Sequence, residues 1–315
     1  MEERIENKRD LSVANRSNEV TRWSLWWKQM RPHTLTASFT PVLIGTALAL
    51  PYESIKLPVF FAMLLASLMI QAATNLFNEY YDFQRGLDTE KSVGIGGATV
   101  HYGIEPKVVL TLAVALFIAV VPLGVYICMN SSWWVAVIGL GCMAAGYYYT
   151  GGPYPIAYTP FGELVAGIFM GLVLILLSFF IQTGTVTTVS VLISIPISIL
   201  VGGILMANNI RDLRGDKEHG RRTLAILLGH DNAVKCLAGM FVVSYAWTVV
   251  LVAFTMVSPW LLLVLLSIPK AVKAIKQFSG KTEALEMMPA MKTTSQTHTF
   301  YGLLLACGLL LAHWF

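Results

Sequence analysis

The sequence predicts an all-α polytopic membrane protein, a bundle of nine spanning helices. Three observations carry this. Of the 315 residues, 56% are hydrophobic and 13% charged, against about a quarter charged in soluble domains. Between Val108 and Ile210 there is no Lys, Arg, His or Asp, and Glu163 is the only Glu. All but one of the 22 basic residues fall on one side when the apolar stretches are threaded back and forth through a bilayer.

A span needs about 20 apolar residues, with about 17 to 25 tolerated. Residues 34–50, 58–77, 108–129, 133–150, 162–182, 189–206, 236–257, 259–275 and 297–314 meet that requirement. Each reads as a helix, because a lone segment in lipid must satisfy its own backbone hydrogen bonds. The basic residues cluster before the first span and after the second, sixth and eighth, leaving Lys56 alone on the other side. The positive-inside rule then puts the N-terminus in the cytoplasm and the C-terminus outside. Residues 1–32 are polar, without the apolar core of a signal peptide, and read as a cytoplasmic tail; 33–315 form the membrane domain. The four cysteines share no metal-like spacing and read as packing residues. The six histidines show no ligand spacing either.

Two segments with Asn four residues before Asp sit at corresponding places, after the second and sixth spans. The first contains Asn75, Asn78, Glu79, Asp82, Arg85, Gly86 and Asp88; the second contains Asn208, Asn209, Arg211, Asp212 and Asp216. On a helix, Asn75, Asn78 and Asp82 share one face, as do Asn208, Asp212 and Asp216. Gly86 ends the first helix, so Asp88 can fold back toward the same place. Carboxylates at the mouth of a membrane bundle need a cationic partner. Mg²⁺ suits Asp82, Asp88, Asp212 and Asp216, because it takes oxygen ligands and completes its shell from water and substrate phosphates. A diphosphate held there becomes a better leaving group. Arg85 and Lys91 beside the first motif, and Arg211, Arg214, Lys217, Arg221 and Arg222 beside the second, could grip its oxygens. Residues 94–97 read as a flexible glycine-rich loop. Tyr147, Tyr148, Tyr149, Tyr154 and Tyr158 fit either an aromatic pocket or an interfacial belt.

These motifs, with Arg31-Pro32 and Gly220-Arg221-Arg222-Thr223-Leu224, resemble the UbiA-type intramembrane aromatic prenyltransferases, and most of all their naphthoate-prenylating branch. The resemblance runs from about Arg31 to the C-terminus. It implies a central polar cavity near the cytoplasmic face and an integral protein of a bacterial cell membrane. The implied reaction is transfer of a polyprenyl group from its diphosphate to 1,4-dihydroxy-2-naphthoate, with loss of carbon dioxide, giving demethylmenaquinone. Mg²⁺ would be held by the four aspartates with Asn78 and Asn209 assisting. Gln71, Asn75, Arg85, Lys91, Asn208, Asn209, Arg211, Lys217, Arg221 and Arg222 would contact substrates. Substrates and membrane lipid are then the partners, with no nucleic acid and no obligate protein.

Three positions depart from the family pattern. Glu79 stands where Asp is common. Gln71 stands where hydroxybenzoate-using relatives tend to carry Arg. Residues 150–159 lack the basic residue many relatives have there. A hydroxybenzoate prenyltransferase and a cation transporter with paired acidic half-sites are the alternatives.

Overall fold

The computed structural model describes residues 30–88 and 98–315. Most of the predicted tail, Lys91 and the 94–97 loop lie outside the described residues. Among the described residues there are helices and no strands. In chain order they are α1 (Pro32–Ala49), α2 (Leu57–Gln84), α3 (Ala98–Tyr102), α4 (Pro106–Asn130), α5 (Trp134–Thr150), α6 (Gly162–Thr183), α7 (Thr188–Glu218), α8 (Leu224–Leu228) and α9 (His230–Ala253). A 3₁₀ segment, Pro259–Ser267, leads into α10 (Ile268–Phe278), and α11 (Ala284–Trp314) closes the chain.

Among the described residues, five helices are long and apolar enough to cross a membrane: α2, α4, α6, α7 and α9. Other predicted spans also lie on helical segments but differ from a plain apolar rod. α1 and α5 are shorter, the stretch at 259–278 changes helix type at Ser267, and α11 carries the polar run Lys292–Thr299. Two motif helices outrun the apolar stretches that predict them. α2 continues past Phe77 to Gln84 and α7 past Met206 to Glu218. Apolarity stops where the helices meet polar surroundings, but backbone hydrogen bonding does not, so both acidic motifs stand on helical turns.

α7 lies at the centre, packed against α6, α9 and α11, while α2 packs on α4 and α1 on α6 and α11. Glycines set the closest approaches. A Cβ at Gly171 would lie 2.3 Å from Ser198 Cα, and one at Gly45 2.4 Å from the Ile175 carbonyl. Small residues let helix backbones meet without a hydrophobic driving force in lipid. Outward faces of α4 and α9 carry exposed Ile118, Val121, Val242 and Val250, as lipid-facing helices do. Cys128 is buried as expected, whereas Cys142 lines a cavity and Cys307 is exposed.

Candidate active site

A cavity of about 670 Å³ opens among α1, α2, α5, α6 and α7. One part of its wall is polar and includes Arg31, Asn78, Asp82, Asp88, Arg211, Asp212, Asp216 and Arg221. The other is apolar and includes Ile70, Ala145, Phe169, Met170, Leu174 and Ile204. Phe169 and Met170 come from a π-helical stretch of α6, Gly167–Val173. Such wide turns are frequent at functional sites.

Local geometry aims each acid. On α2, Asn75, Asn78 and Asp82 face the cavity as the helical period requires. Beyond Gln84, Gly86 adopts φ +71°, a conformation that glycine takes without Cβ strain. The chain therefore turns back, and the Leu87 and Asp88 amides donate to the Asp82 carbonyl at 2.9 and 3.4 Å. On α7, Asn208, Asp212 and Asp216 form the matching stripe. Gly220, at φ +78°, reverses the chain after α7, and the Arg221 amide donates to the Asp216 carbonyl at 3.0 Å.

The two stripes meet at Arg221. Its Nη2 donates to Asp82 Oδ1 at 2.6 Å and its Nη1 to Asp216 Oδ1 at 3.0 Å, while its guanidinium lies 5.2 Å from the Tyr158 ring centre. Burial pulls the Arg221 guanidinium down, but the Asp82 and Asp216 charges together lift it above its ordinary value. Burial, with Asp82 and Glu79 nearby, pushes the Asp88 carboxyl up from 3.8 to about 7. Arg211 grips Asp212 through both oxygens, at 2.7 and 2.5 Å.

The amides have distinct partners. Asn78 Oδ1 accepts from the Thr150 hydroxyl at 2.7 Å. Asn75 Nδ2 donates to the Met30 carbonyl at 2.8 Å and to Thr34 Oγ1 at 3.0 Å, and Gln71 Nε2 donates to Asn75 Oδ1 at 3.2 Å. Asn75 thus ties down both sides of Arg31, a non-glycine residue at φ 49°, and presents it to the cavity. Asn209 Nδ2 donates to the buried Glu163 at 2.8 Å.

Gln71, Asn75, Asn208, Asn209, Arg211 and Arg221 line the cavity with the four aspartates and Asn78. Three other residues expected at substrate do not. Arg85 turns to the Thr150 and Gly152 carbonyls and packs beside Tyr81 and Tyr158. Lys217 and Arg222 are exposed and absent from the cavity wall. Of the five tyrosines only Tyr149 lines the cavity. Tyr147 donates to or accepts from the Tyr81 hydroxyl at 2.9 Å, Tyr148 and Tyr154 are exposed, and Tyr158 faces arginines. Sequence reasoning left Arg31 and Glu163 without roles. An isolated acid in a hundred-residue uncharged run is a signal for Glu163; its pairing with Asn209 has none.

The donor set fits Mg²⁺. Asp88 Oδ2, Asp216 Oδ2 and Asn208 Oδ1 are buried without a hydrogen-bond partner, and all are hard oxygen donors. Among the described residues no three carboxylate, His or Cys groups converge as a closed metal cage. A Mg²⁺ ion held here would draw its remaining ligands from water and phosphate oxygens.

The profile of the UbiA prenyltransferase family matches residues 38–292. The 1,4-dihydroxy-2-naphthoate octaprenyltransferase of Bacillus subtilis (strain 168) is 59% identical over 287 residues, covering 91% of this chain and 92% of that protein. The protein of the same name from Escherichia coli (strain K12) is 26% identical over 303 residues, covering 94% and 98%. The fold is shared with a UbiA homolog from Archaeoglobus fulgidus bound to GPP and Mg²⁺. That pair superposes with a TM-score of 0.64 at 15% identity, covering 90% of this chain and 99% of the other. The chain belongs to the UbiA prenyltransferase family.

Proposed function

We propose that the chain transfers a polyprenyl group from a polyprenyl diphosphate to 1,4-dihydroxy-2-naphthoate, with loss of carbon dioxide and release of diphosphate, giving demethylmenaquinone. The observation that carries this is the meeting of both acidic motifs at the polar end of an otherwise apolar cavity. High identity to the Bacillus subtilis enzyme supports the choice of acceptor. Membership of a prenyltransferase family leaves the transporter alternative without support.

Asp82, Asp88, Asp212 and Asp216, with Asn78 and Asn209 assisting and the bare Asn208 oxygen nearby, would hold Mg²⁺. Bound there, the metal neutralises charge on the diphosphate and makes it a better leaving group. Arg31, Arg211 and Arg221 line the same wall and would take phosphate oxygens. Apolar walls from α6 and α7 keep water from the allylic cation until the naphthoate ring attacks it. Gln71 lies two helical turns before Asn78 on α2 and lines the cavity. It offers a neutral amide to the aromatic acceptor where a hydroxybenzoate enzyme would offer a guanidinium.

The membrane arrangement that accommodates this chemistry is a nine-span bundle in the cell membrane. The N-terminus and the site face the cytoplasm and the C-terminus lies outside, a reading supported by the one-sided basic residues. The test is incubation of purified protein with geranyl diphosphate, Mg²⁺ and each candidate aromatic acid, with products identified by mass. Geranylated, decarboxylated product is expected from the naphthoate. Product from 4-hydroxybenzoate alone would overturn the acceptor assignment.

A further inference from the structure

Among the described residues, Arg221 is the cation that joins the two acidic motifs. Arg211 makes its ion pair with Asp212 beside it in the same motif and turns its remaining nitrogen to the Met288 and Met291 sulfurs, and Arg214 makes an exposed pair with Glu283. Arg221 instead spans α2 and the end of α7, with a side chain 13% exposed and bonds to Asp82 and Asp216. The turn at Gly220, the Arg221 amide bond to Asp216 and the Tyr158 ring hold it there. Without it, the buried Asp216 and the half-buried Asp82 would be two like charges facing one cavity, an unfavourable arrangement.

From this we infer that Arg221 is a resident counter-cation, occupying the place between the motifs that metal-bound diphosphate takes over. The inference rests on the metal-diphosphate reading above. A divalent ion reaching Asp82 or Asp216 meets a guanidinium already bonded to the same carboxylates, and like charges at that distance repel. Expelling Arg221 leaves a buried cation without a partner, so metal alone binds weakly. When diphosphate arrives with the metal, the freed guanidinium takes phosphate oxygens, for which its planar fork is suited. Metal and diphosphate each remove the other's obstacle. Their binding is therefore coupled, reciprocally and with positive sign.

The test compares wild type, Arg221→Gln and Arg221→Lys in detergent, with Mn²⁺ as the metal probe and geranyl S-thiolodiphosphate as the unreactive diphosphate. Mn²⁺ binding is followed by paramagnetic resonance, and thermal midpoints are taken without metal and with Mg²⁺. Arg221→Gln is expected to bind Mn²⁺ alone about tenfold more tightly than wild type, a typical coupling magnitude. Its metal-free midpoint falls below that of wild type, and Mg²⁺ restores it. The thiolodiphosphate binds this variant more weakly at saturating metal. Arg221→Lys keeps the charge but reaches one carboxylate, so its Mn²⁺ affinity falls between the two; this arm suffices if the glutamine variant does not fold. Lys276→Gln, remote on α10, controls for net charge and leaves Mn²⁺ affinity unchanged. Mn²⁺ affinity unchanged or weakened in both Arg221 variants would overturn the counter-cation inference. Absence of Mn²⁺ binding in wild type even with the thiolodiphosphate present would instead overturn the metal-diphosphate reading beneath it.

Discussion

The Arg221 guanidinium donates to the Asp82 carboxylate at 2.6 Å, across 139 positions of sequence. The contact joins the two motifs across the polar end of the cavity. Asp82→Asn keeps the size of the side chain and removes the charge. Turnover should fall by about 10²–10³, the scale of losing one key electrostatic contact, with every aromatic acceptor alike. Steady-state prenyl transfer measures this, and a loss confined to one acceptor would place Asp82 in the wrong pocket. Excess chelator should likewise abolish turnover, and added Mg²⁺ should restore it.

Gln71→Arg should change acceptor preference more than prenyl diphosphate affinity. Gln71 and Asp82 line different depths of one cavity from the same helix, so a new guanidinium at Gln71 meets the aromatic acid first. KM for naphthoate and for hydroxybenzoate, with KM for geranyl diphosphate, separates the two effects. Collapse of diphosphate affinity with selectivity unchanged would show that the acceptor binds elsewhere.

The Asp88 carboxyl, pushed up to about 7 in the metal-free protein, has a definite pH signature. Its folded value is above the unfolded 3.8, so the folded chain holds this proton more tightly. This group's contribution to metal-free stability is therefore largest below the unfolded value and declines as pH rises toward about 7. Protons compete with metal over the same range. Apparent Mg²⁺ affinity should rise between pH 6 and pH 8, roughly tenfold per unit below the carboxyl's own value, and Asp88→Asn should flatten that dependence. Titrations with Mn²⁺ at fixed ionic strength check it.

Gly171→Ala should destabilise the bundle, because the new methyl would lie 2.3 Å from Ser198 Cα and 2.7 Å from its amide nitrogen. Neither is a flexible chain end, so α6 and α7 must move apart, at a cost of about 1–3 kcal/mol. Gly139→Ala, where nothing lies within 4 Å, is the control. Thermal unfolding in detergent compares them; equal midpoints would mean that the contact gives way freely.

Topology has its own test. Threading the chain as nine spans puts all but one of the 22 basic residues on one side, and on that arrangement cysteines introduced at Lys217 and Phe315 should label from opposite faces of the membrane. Labelling from the same face would remove the nine-span arrangement.

Much of the site was legible because helical period is a short-range property. Asn75, Asn78 and Asp82 share a face by spacing alone, and Gly86 marks the turn that brings Asp88 back. Contacts that depend on where a long side chain reaches were not legible. Arg85 sits one turn from Asp82 and Tyr81, yet its guanidinium goes to backbone carbonyls of the loop after α5. The Asn209–Glu163 bond joins residues 46 apart, and no spacing rule foretells such a pair. Apolarity alone stops short of the helix ends on α2 after Phe77 and α7 after Met206, and there the motif spacing, with Gly86 as the stop, carries the reading further. The π-helical stretch of α6, whose Gly167 and Gly171 lie against Ser198, has no local signal in the sequence.

The cavity volume, about 670 Å³, is within the range that houses a drug-sized molecule. A diphosphate, an aromatic bicycle and the first isoprene units fill such a space. On the proposed function the rest of a long tail would lie among the acyl chains of the bilayer. On that reading such an enzyme would hold the reactive end of its donor and leave the length to the supply of polyprenyl diphosphate.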